Sequence, residues 1–397
     1  MGNTLKDFLF YIPTKIEYGL NKFQEIGQFS KSFGKKALIV SYEDQSLKDA
    51  LDECQTLLEK EEISSVVFEE VVTNPSHSLI DKGAELAKEE KCDFVIGFGG
   101  GSAIDVAKTI AVAVVEDVPI WEIVEGKEIT KKPFPMVAVP TTSGTGSEVT
   151  QYAVISNHEK KRKEGIGKKE FYPVLSIVDP MLTVGMPPKL TAAVGLDALT
   201  HAIEGYTTRF ASPVTDALAE KSIELVGKSL RKAVFDGKDL EARADMMLAS
   251  MLAGMAITHA DTSLAHVIGE AMGAVFNVHH GLAVTLTLPS VMEYNCFTNI
   301  EKFRKIALLL GEDIEGYSPR EAAMLAPAAV RELIFDVEAP RGLAALGAAE
   351  DEHVLDLCTR PGWDASNMRP ASREDFNLLI KGSLSPEMTY WKYQNYS

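Results

Sequence analysis

The chain has 397 residues, 46% of them hydrophobic and 24% charged, with a formal net charge of −17. The length is enough for two domains with separate cores, and the composition is that of a globular protein rather than a disordered or fibrous one. The acidic balance argues against non-specific nucleic-acid binding, and apolar runs such as "TIAVAVV" (109–115) are too short to cross a bilayer.

The first stretch, "MGNTLKDFLFYIP", has no basic region leading into an apolar core, so no secretory signal is expected. Met1 and Gly2 alone do not make a lipidation signal, because Lys6 stands where Ser or Thr is required. Strand-like and helix-like segments then alternate. They are "KALIVSY" (36–42), "SLKDALDECQTLLEKEE" (46–62), "SSVVFEEV" (64–71), "SLIDKGAELAKEEK" (78–91), "DFVIGFGG" (93–100), "SAIDVAKTIAVAVV" (102–115), "MVAVPTT" (136–142) and a last strand at "PVLSIVDP" (173–180). Continuous Val/Ile runs between turn residues fit strands buried on both faces. Their alternation with helices predicts a parallel sheet covered on either side. The basic run "KKRK" (160–163) reads as a solvated loop. Cys54, Cys92, Cys296 and Cys358 are scattered with no CxxC pair, as in a reduced, cytoplasmic protein.

After about residue 185 the strands stop. "TAAVGLDALTHAIEGYTT", "SPVTDALAEKSIELVGKSLRKAVF", "LEARADMMLASMLAGMAITHA", "TNIEKFRKIALLLG" and "SPREAAMLAPAAVRELIFDV" all carry helical periodicity. Pro187 and Pro188 interrupt regular structure at the junction. The expectation is an α/β domain over 1–185 and an all-α domain over 186–397, with a cleft between them as the default place for a site. The tail "SPEMTYWKYQNYS" runs past the helical pattern with four aromatic residues, as either a disordered end or a subunit contact.

Two loops carry phosphate-binding chemistry. Gly99, Gly100, Gly101 and Ser102 lie between an apolar strand and a helix, where backbone N–H groups can approach a phosphate closely. Ser102 would also serve as an ordinary N-cap. The spacing is not that of the GxGxxG fingerprint. "PTTSGTGSEVT" (140–150) also follows a strand and offers hydroxyls for a second wall around a nucleotide.

Asp197 and His201 stand four residues apart on an apolar helix, which puts both on one face. His266 and Glu270 repeat that spacing, and His279-His280-Gly281 follows. A carboxylate with imidazoles suits Zn(II), Fe(II) or a similar ion acting as a Lewis acid. Spacing alone leaves Glu270, His279 and His280 all open as the fourth ligand.

With these motifs in place, the chain resembles the iron-containing (group III) alcohol dehydrogenase family. The resemblance rests on "GGGSAIDVAK", "PTTSGTGSEVT", and "GLDALTHAIEGY" followed by "AHVIGEAMGAVFNVHHG". It runs from about residue 10 to 310 and returns at "NMRPASREDF". It implies a Rossmann-like N-terminal domain and a helical C-terminal domain, the dehydroquinate-synthase-like architecture. It also implies reversible hydride transfer between a nicotinamide cofactor and an alcohol or aldehyde at a divalent metal. The implied ligands are Asp197, His201, His266 and His280, the last because it directly precedes a glycine. The implied cofactor residues are Gly99, Gly100, Gly101 and Ser102 at the pyrophosphate, Thr141, Thr142, Thr145 and Ser147 in the second loop, Asn74, and Lys163 near the ribose. Iron, or zinc in its place, is the implied metal. A short primary alcohol, aldehyde or diol is the implied substrate, an anionic substituent being compatible, and a homodimer or larger assembly the implied state.

Two positions depart from the family pattern. Tyr42, followed by Glu43 and Asp44, stands where NAD-using members often carry Asp; acid nearby still disfavours a 2′-phosphate, so NAD is expected over NADP. Glu270 replaces a histidine found beside the metal in many members, so a proton relay would use Glu270, a water or another route. Within the same fold, dehydroquinate synthase is a rival, but its cluster of substrate-phosphate-binding basic residues is not seen near the metal motifs. Glycerol dehydrogenase and maleylacetate reductase are nearer alternatives, and a non-catalytic nucleotide-binding protein is the rival from another class.

Overall fold

The computed structural model describes residues 7–160 and 162–385. The lipidation positions at Met1, Gly2 and Lys6, the middle of the basic run at Lys161, and the aromatic tail from 386 on lie outside these residues. Two compact units are present among the described residues, Tyr11–Met186 and residues 187–385 joined by residues 7–10.

The first unit runs β1 (Lys15–Tyr18), α1 (Ile26–Ser30), β2 (Lys36–Tyr42), α2 (Lys48–Glu59), β3 (Ser64–Val71), α3 (His77–Glu89), β4 (Phe94–Gly99), α4 (Gly101–Glu116), α5 (Ile120–Val124), β5 (Met136–Pro140), β6 (Tyr152–Asn157), β7 (Arg162–Gly167) and β8 (Leu175–Val178). Six strands form one sheet in the order β1-β8-β5-β4-β2-β3, and every pairing in it is parallel. Successive residues of β2 point to opposite faces. Leu38 and Val40 pack with Ile80, Ile104 and Ala107 of α3 and α4, whereas Ala37 and Ile39 pack with Ile26, Leu51 and Leu58 of α1 and α2. Both faces are therefore covered, which is why these strands read as unbroken apolar runs. The crossover from β2 leads outward to β3 and that from β4 leads the opposite way to β5. Open parallel sheets bind ligands beyond the strand ends at such a reversal.

The basic run departs from the expected loop. Arg162 and Lys163 begin β7, which pairs antiparallel with β6 as a separate hairpin. Backbone pairing with β6, whose Ala153 and Ile155 are buried, extends these polar residues although they carry no apolar alternation of their own. Strand β1 was also without a signal in the sequence.

Among the described residues, the regular structure of the second unit is helical. It contains α6 (Pro188–Thr207), α7 (Pro213–Phe235), α8 (Leu240–Ala260), α9 (Leu264–Phe276), α10 (His280–Asn295), α11 (Ile300–Leu309), α12 (Pro319–Asp336), α13 (Glu352–Cys358) and α14 (Arg373–Leu384). Every residue of α6 from Thr191 to Thr207 is buried, so this helix is the centre of the unit and its polar groups need internal partners. Among the described residues no helix is long and apolar enough to cross a membrane.

Candidate active site

The two phosphate-type loops start level with each other. Gly99 pairs with Pro140 in the β4–β5 ladder, and the Thr141 N–H donates to the Gly99 carbonyl at 3.0 Å. Gly100 is the N-cap of α4 and supplies no side-chain acceptor, while Ser102 lies inside the first turn rather than capping it. Helix starts of this kind present N–H groups and partial positive charge to an anion. A Cβ on Gly101 would lie 2.6 Å from Thr145 Cγ2 and 2.8 Å from Thr145 Oγ1, so glycine is what lets the second loop touch the first. Gly100 faces Thr142 in the same way. Thr142 and Thr145 remain partly exposed there, whereas Thr141 and Ser147 are buried. Ser147 Oγ points inward and donates to Asp105 Oδ1 at 2.6 Å.

Tyr42 closes the end of β2. Its ring would lie 3.0 Å from a Cβ on Gly99, and its hydroxyl reaches Ser102 and Ala103 at the start of α4. Burial raises its pKa against those hydrogen bonds. Asp44, the nearby acid, accepts from the Ser46 N–H at 2.8 Å. On the other side Asn74 adopts a left-handed φ of 59°, which asparagine tolerates, and its Oδ1 accepts from Lys163 Nζ at 2.8 Å. They meet because the Ser156 N–H donates to the Pro75 carbonyl at 2.9 Å and Lys163 stands opposite Ser156 in the hairpin.

The second unit gathers the metal-type residues. Asp197 and His201 lie one turn apart on α6, His266 comes from α9 and His280 from the first position of α10. Potential ligand atoms of all four lie within 4.8 Å of one another. A Cβ on Gly281 would sit 2.7 Å from the Ala193 carbonyl and 3.1 Å from Asp197 Cβ, so glycine permits α10 to start this close to α6. Asp197 Oδ1 and His266 Nε2 are buried with no hydrogen-bond partner among the described residues. Two such atoms turned into one cluster fit an ion, which would take up their lone pairs. Glu270 is half-buried one turn beyond His266 and outside the four, and His279 is exposed. Of the fourth-ligand candidates left open by spacing, His280 is the one in the group.

Glu204 was not singled out in the sequence. It is fully buried on α6, one turn beyond His201, and its Oε2 accepts from His266 Nδ1. Its Oε1 accepts from Ser263 Oγ and from the Ala265 N–H, both at 2.8 Å. Burial works to raise the Glu204 pKa, but His266, Ser263 and Ala265 outweigh it and hold the carboxyl below its usual range. Burial likewise works to lower the His266 pKa, and the Glu204 carboxylate reverses this and raises it. A hydrogen bond from Nδ1–H leaves the Nε2 lone pair for the cluster, the usual orientation of a ligating imidazole. The available signal was the place of Glu204, seven residues after Asp197 on the same apolar helical face.

The chain matches the model of the iron-containing alcohol dehydrogenase family over residues 13–180 and that of the family's C-terminal domain over 191–384. It is 36% identical over 379 residues to 1,3-propanediol dehydrogenase of Klebsiella pneumoniae, covering 94% of this chain and 98% of that protein. A crystal structure of 1,3-propanediol oxidoreductase superposes with a TM-score of 0.92 at 36% identity, covering 96% of this chain and all of that one. Sulfoacetaldehyde reductase from Bifidobacterium kashiwanohense, solved with NAD+, gives a TM-score of 0.85 at 28% identity over 94% of this chain and 98% of its own. Both units are thus matched along almost their whole length, and the chain belongs to the iron-containing alcohol dehydrogenase family of oxidoreductases.

Proposed function

We propose that the protein transfers a hydride reversibly between NAD(H) and a short primary alcohol or aldehyde, with a divalent metal, Fe(II) or Zn(II), held by Asp197, His201, His266 and His280. The observation that carries this reading is the convergence of those four side chains, two with orphaned buried atoms, in a member of this family. When bound, such an ion supplies Lewis acidity toward an alcohol or carbonyl oxygen. Glu204 keeps the His266 proton on Nδ1, so that Nε2 is available as a ligand. Glu270, four residues beyond His266, is the candidate to carry the alcohol proton toward solvent. Gly99, Gly100, Gly101 and Ser102 cradle the pyrophosphate from one side, and Thr142 and Thr145 do so from the other. Thr141 and Ser147 shape the second loop from within. Asn74 and Lys163, already bonded to each other, offer a donor pair toward the ribose.

Acidic residues after Tyr42 favour NAD over NADP by opposing a 2′-phosphate. Named relatives support a range of substrates, from a diol to a sulfonated aldehyde. Homo-oligomeric assembly and a cytoplasmic setting belong to the same reading.

The test is NADH oxidation by metal-stripped protein with Fe(II) or Zn(II) restored, across neutral, hydroxylated, sulfonated and phosphonated short aldehydes. Turnover of one class that returns only with metal is expected. Equal turnover without metal, or none with any aldehyde despite NADH binding, would sink the reading. For the cradle, Gly101→Val places branched carbons against Thr145 and is expected to weaken NADH binding by at least about tenfold. Fluorescence titration of NADH checks this, with metal content as the unaffected control.

A further inference from the structure

Asp261 holds a backbone conformation that any side chain makes strained. It directly follows α8, with φ 64° and ψ 172°. The left-handed helix caps Asp117 (φ 58°, ψ 42°) and Asn277 (φ 54°, ψ 35°) lie where acids and amides are tolerated. Asp261 lies outside that region, in territory open essentially to glycine alone. Its neighbours hold it there. The Asp261 N–H donates to the Ile257 carbonyl at 2.8 Å, and Thr208 Oγ1 donates to the Ala260 carbonyl at 2.6 Å. Ser366 Oγ donates to the Thr262 carbonyl at 2.5 Å, and Ser263 Oγ to Glu204 Oε1. Glycine would serve every one of these bonds without strain, so what this position gains from aspartate is the carboxylate.

That carboxylate keeps an open acceptor. Its Oδ1 accepts from the Thr262 N–H at 2.8 Å, while Oδ2 takes no hydrogen bond among the described residues. The residue is exposed, yet the surrounding protein desolvates it enough to raise its pKa, against the Thr262 N–H and His266. A group both exposed and crowded lies in a recess rather than on a convex surface. His266 holds its proton off and Glu204 holds it on, so the recess lies near the metal-type cluster.

We propose that Asp261 is a specificity residue, whose carboxylate receives a second hydrogen-bond donor, a hydroxyl or an ammonium, carried by the alcohol or aldehyde. This rests on the reading that hydride transfer takes place at the cluster, and it names the substrate class of that site. A carboxylate is a strong acceptor for either donor and repels an anionic substituent. The acids Asp197, Glu204 and Glu270 all bear on His266, which deepens the bias against a sulfonate or phosphonate. Local strain kept beside a reactive centre is the pattern of a functional residue rather than of a helix stop.

The deciding experiment is NAD reduction by full-length, metal-loaded protein with 1,2-ethanediol, 1,3-propanediol, 3-aminopropan-1-ol, propan-1-ol and 3-hydroxypropane-1-sulfonate. Wild type, Asp261→Gly and Asp261→Asn are compared, with melting temperature and metal content measured alongside. In wild type kcat/KM for the best donor-bearing alcohol is expected to exceed that for propan-1-ol by at least about tenfold, with the sulfonate below both. Asp261→Gly should bring that ratio to within about threefold of unity, retain its metal and melt about 1–3 °C higher as the strain is relieved. Asp261→Asn keeps an acceptor without the charge, so it should lose more of the preference for the amino alcohol than for a diol, which separates the two donors. An Asp261→Gly protein with the wild-type preference overturns the proposal. Loss of preference together with a lower melting temperature also overturns it, because the carboxylate would then serve the fold. A wild type that oxidises propan-1-ol as well as any donor-bearing alcohol, or that prefers the sulfonate, overturns it and leaves hydride transfer standing. A metal-loaded wild type that oxidises none of the alcohols overturns the hydride-transfer reading, and the proposal with it.

Discussion

Replacing His266 by alanine is expected to leave a folded protein that loses its metal on dialysis and turns over at least about a thousandfold more slowly. His266 is the link between α9 and the cluster on α6, offering Nε2 to the cluster while Nδ1 is held by Glu204. Without the imidazole three of the four proposed ligands remain, and the Glu204 carboxylate loses one of its partners. It keeps Ser263 Oγ and the Ala265 N–H, so the penalty for burying it is on the order of 1–3 kcal/mol rather than that of a bare charge. Metal content by mass spectrometry, read beside far-UV circular dichroism, separates loss of the ion from loss of the fold. A variant that keeps one metal per chain and full activity would remove His266 from the ligand set.

Glu204→Gln is expected to weaken metal binding by about 10–100-fold although Glu204 is not among the four proposed ligands. The amide is nearly isosteric and its oxygen can still accept from Ser263 and Ala265. Its nitrogen, facing His266 Nδ1, is a donor where the carboxylate was an acceptor. That favours the imidazole tautomer with its proton on Nε2, which removes the lone pair the ion needs. Competition with a chelator of known affinity measures the change. An unchanged affinity would mean that the His266–Glu204 contact serves packing alone.

Much of this arrangement was legible because the chemistry has a period. Strands β2, β4, β5 and β8 are buried on both faces, so their Val/Ile runs announced themselves. The β6–β7 hairpin did not, because "RKEGIG" holds its extended form through pairing with a neighbour rather than through an apolar face of its own. Asp197 and His201 were visible as a four-residue repeat on one helix. The choice among Glu270, His279 and His280 was not visible in the spacing and came only with the family resemblance, since it depends on how closely α10 starts to α6, an approach that Gly281 permits. Glu204 was hidden because its partners Ser263, Ala265 and His266 come from a segment about sixty residues away, and a lone acid on an apolar helix names no partner.

The Gly99–Pro140 pairing bears on how such a chain can vary. Hydrogen bonds across the sheet index the two loops to each other, and the connection through α4 and α5 that joins them plays no part in that indexing. Additions to residues 125–133 leave untouched the ladder, which begins where the Val95 N–H donates to the Pro135 carbonyl at 3.0 Å. One residue added inside β4 or β5 would slide one loop along the other by about 3.3 Å, more than the reach of a hydrogen bond. Drift in length is therefore tolerated in the connection between these strands and forbidden within the strands themselves.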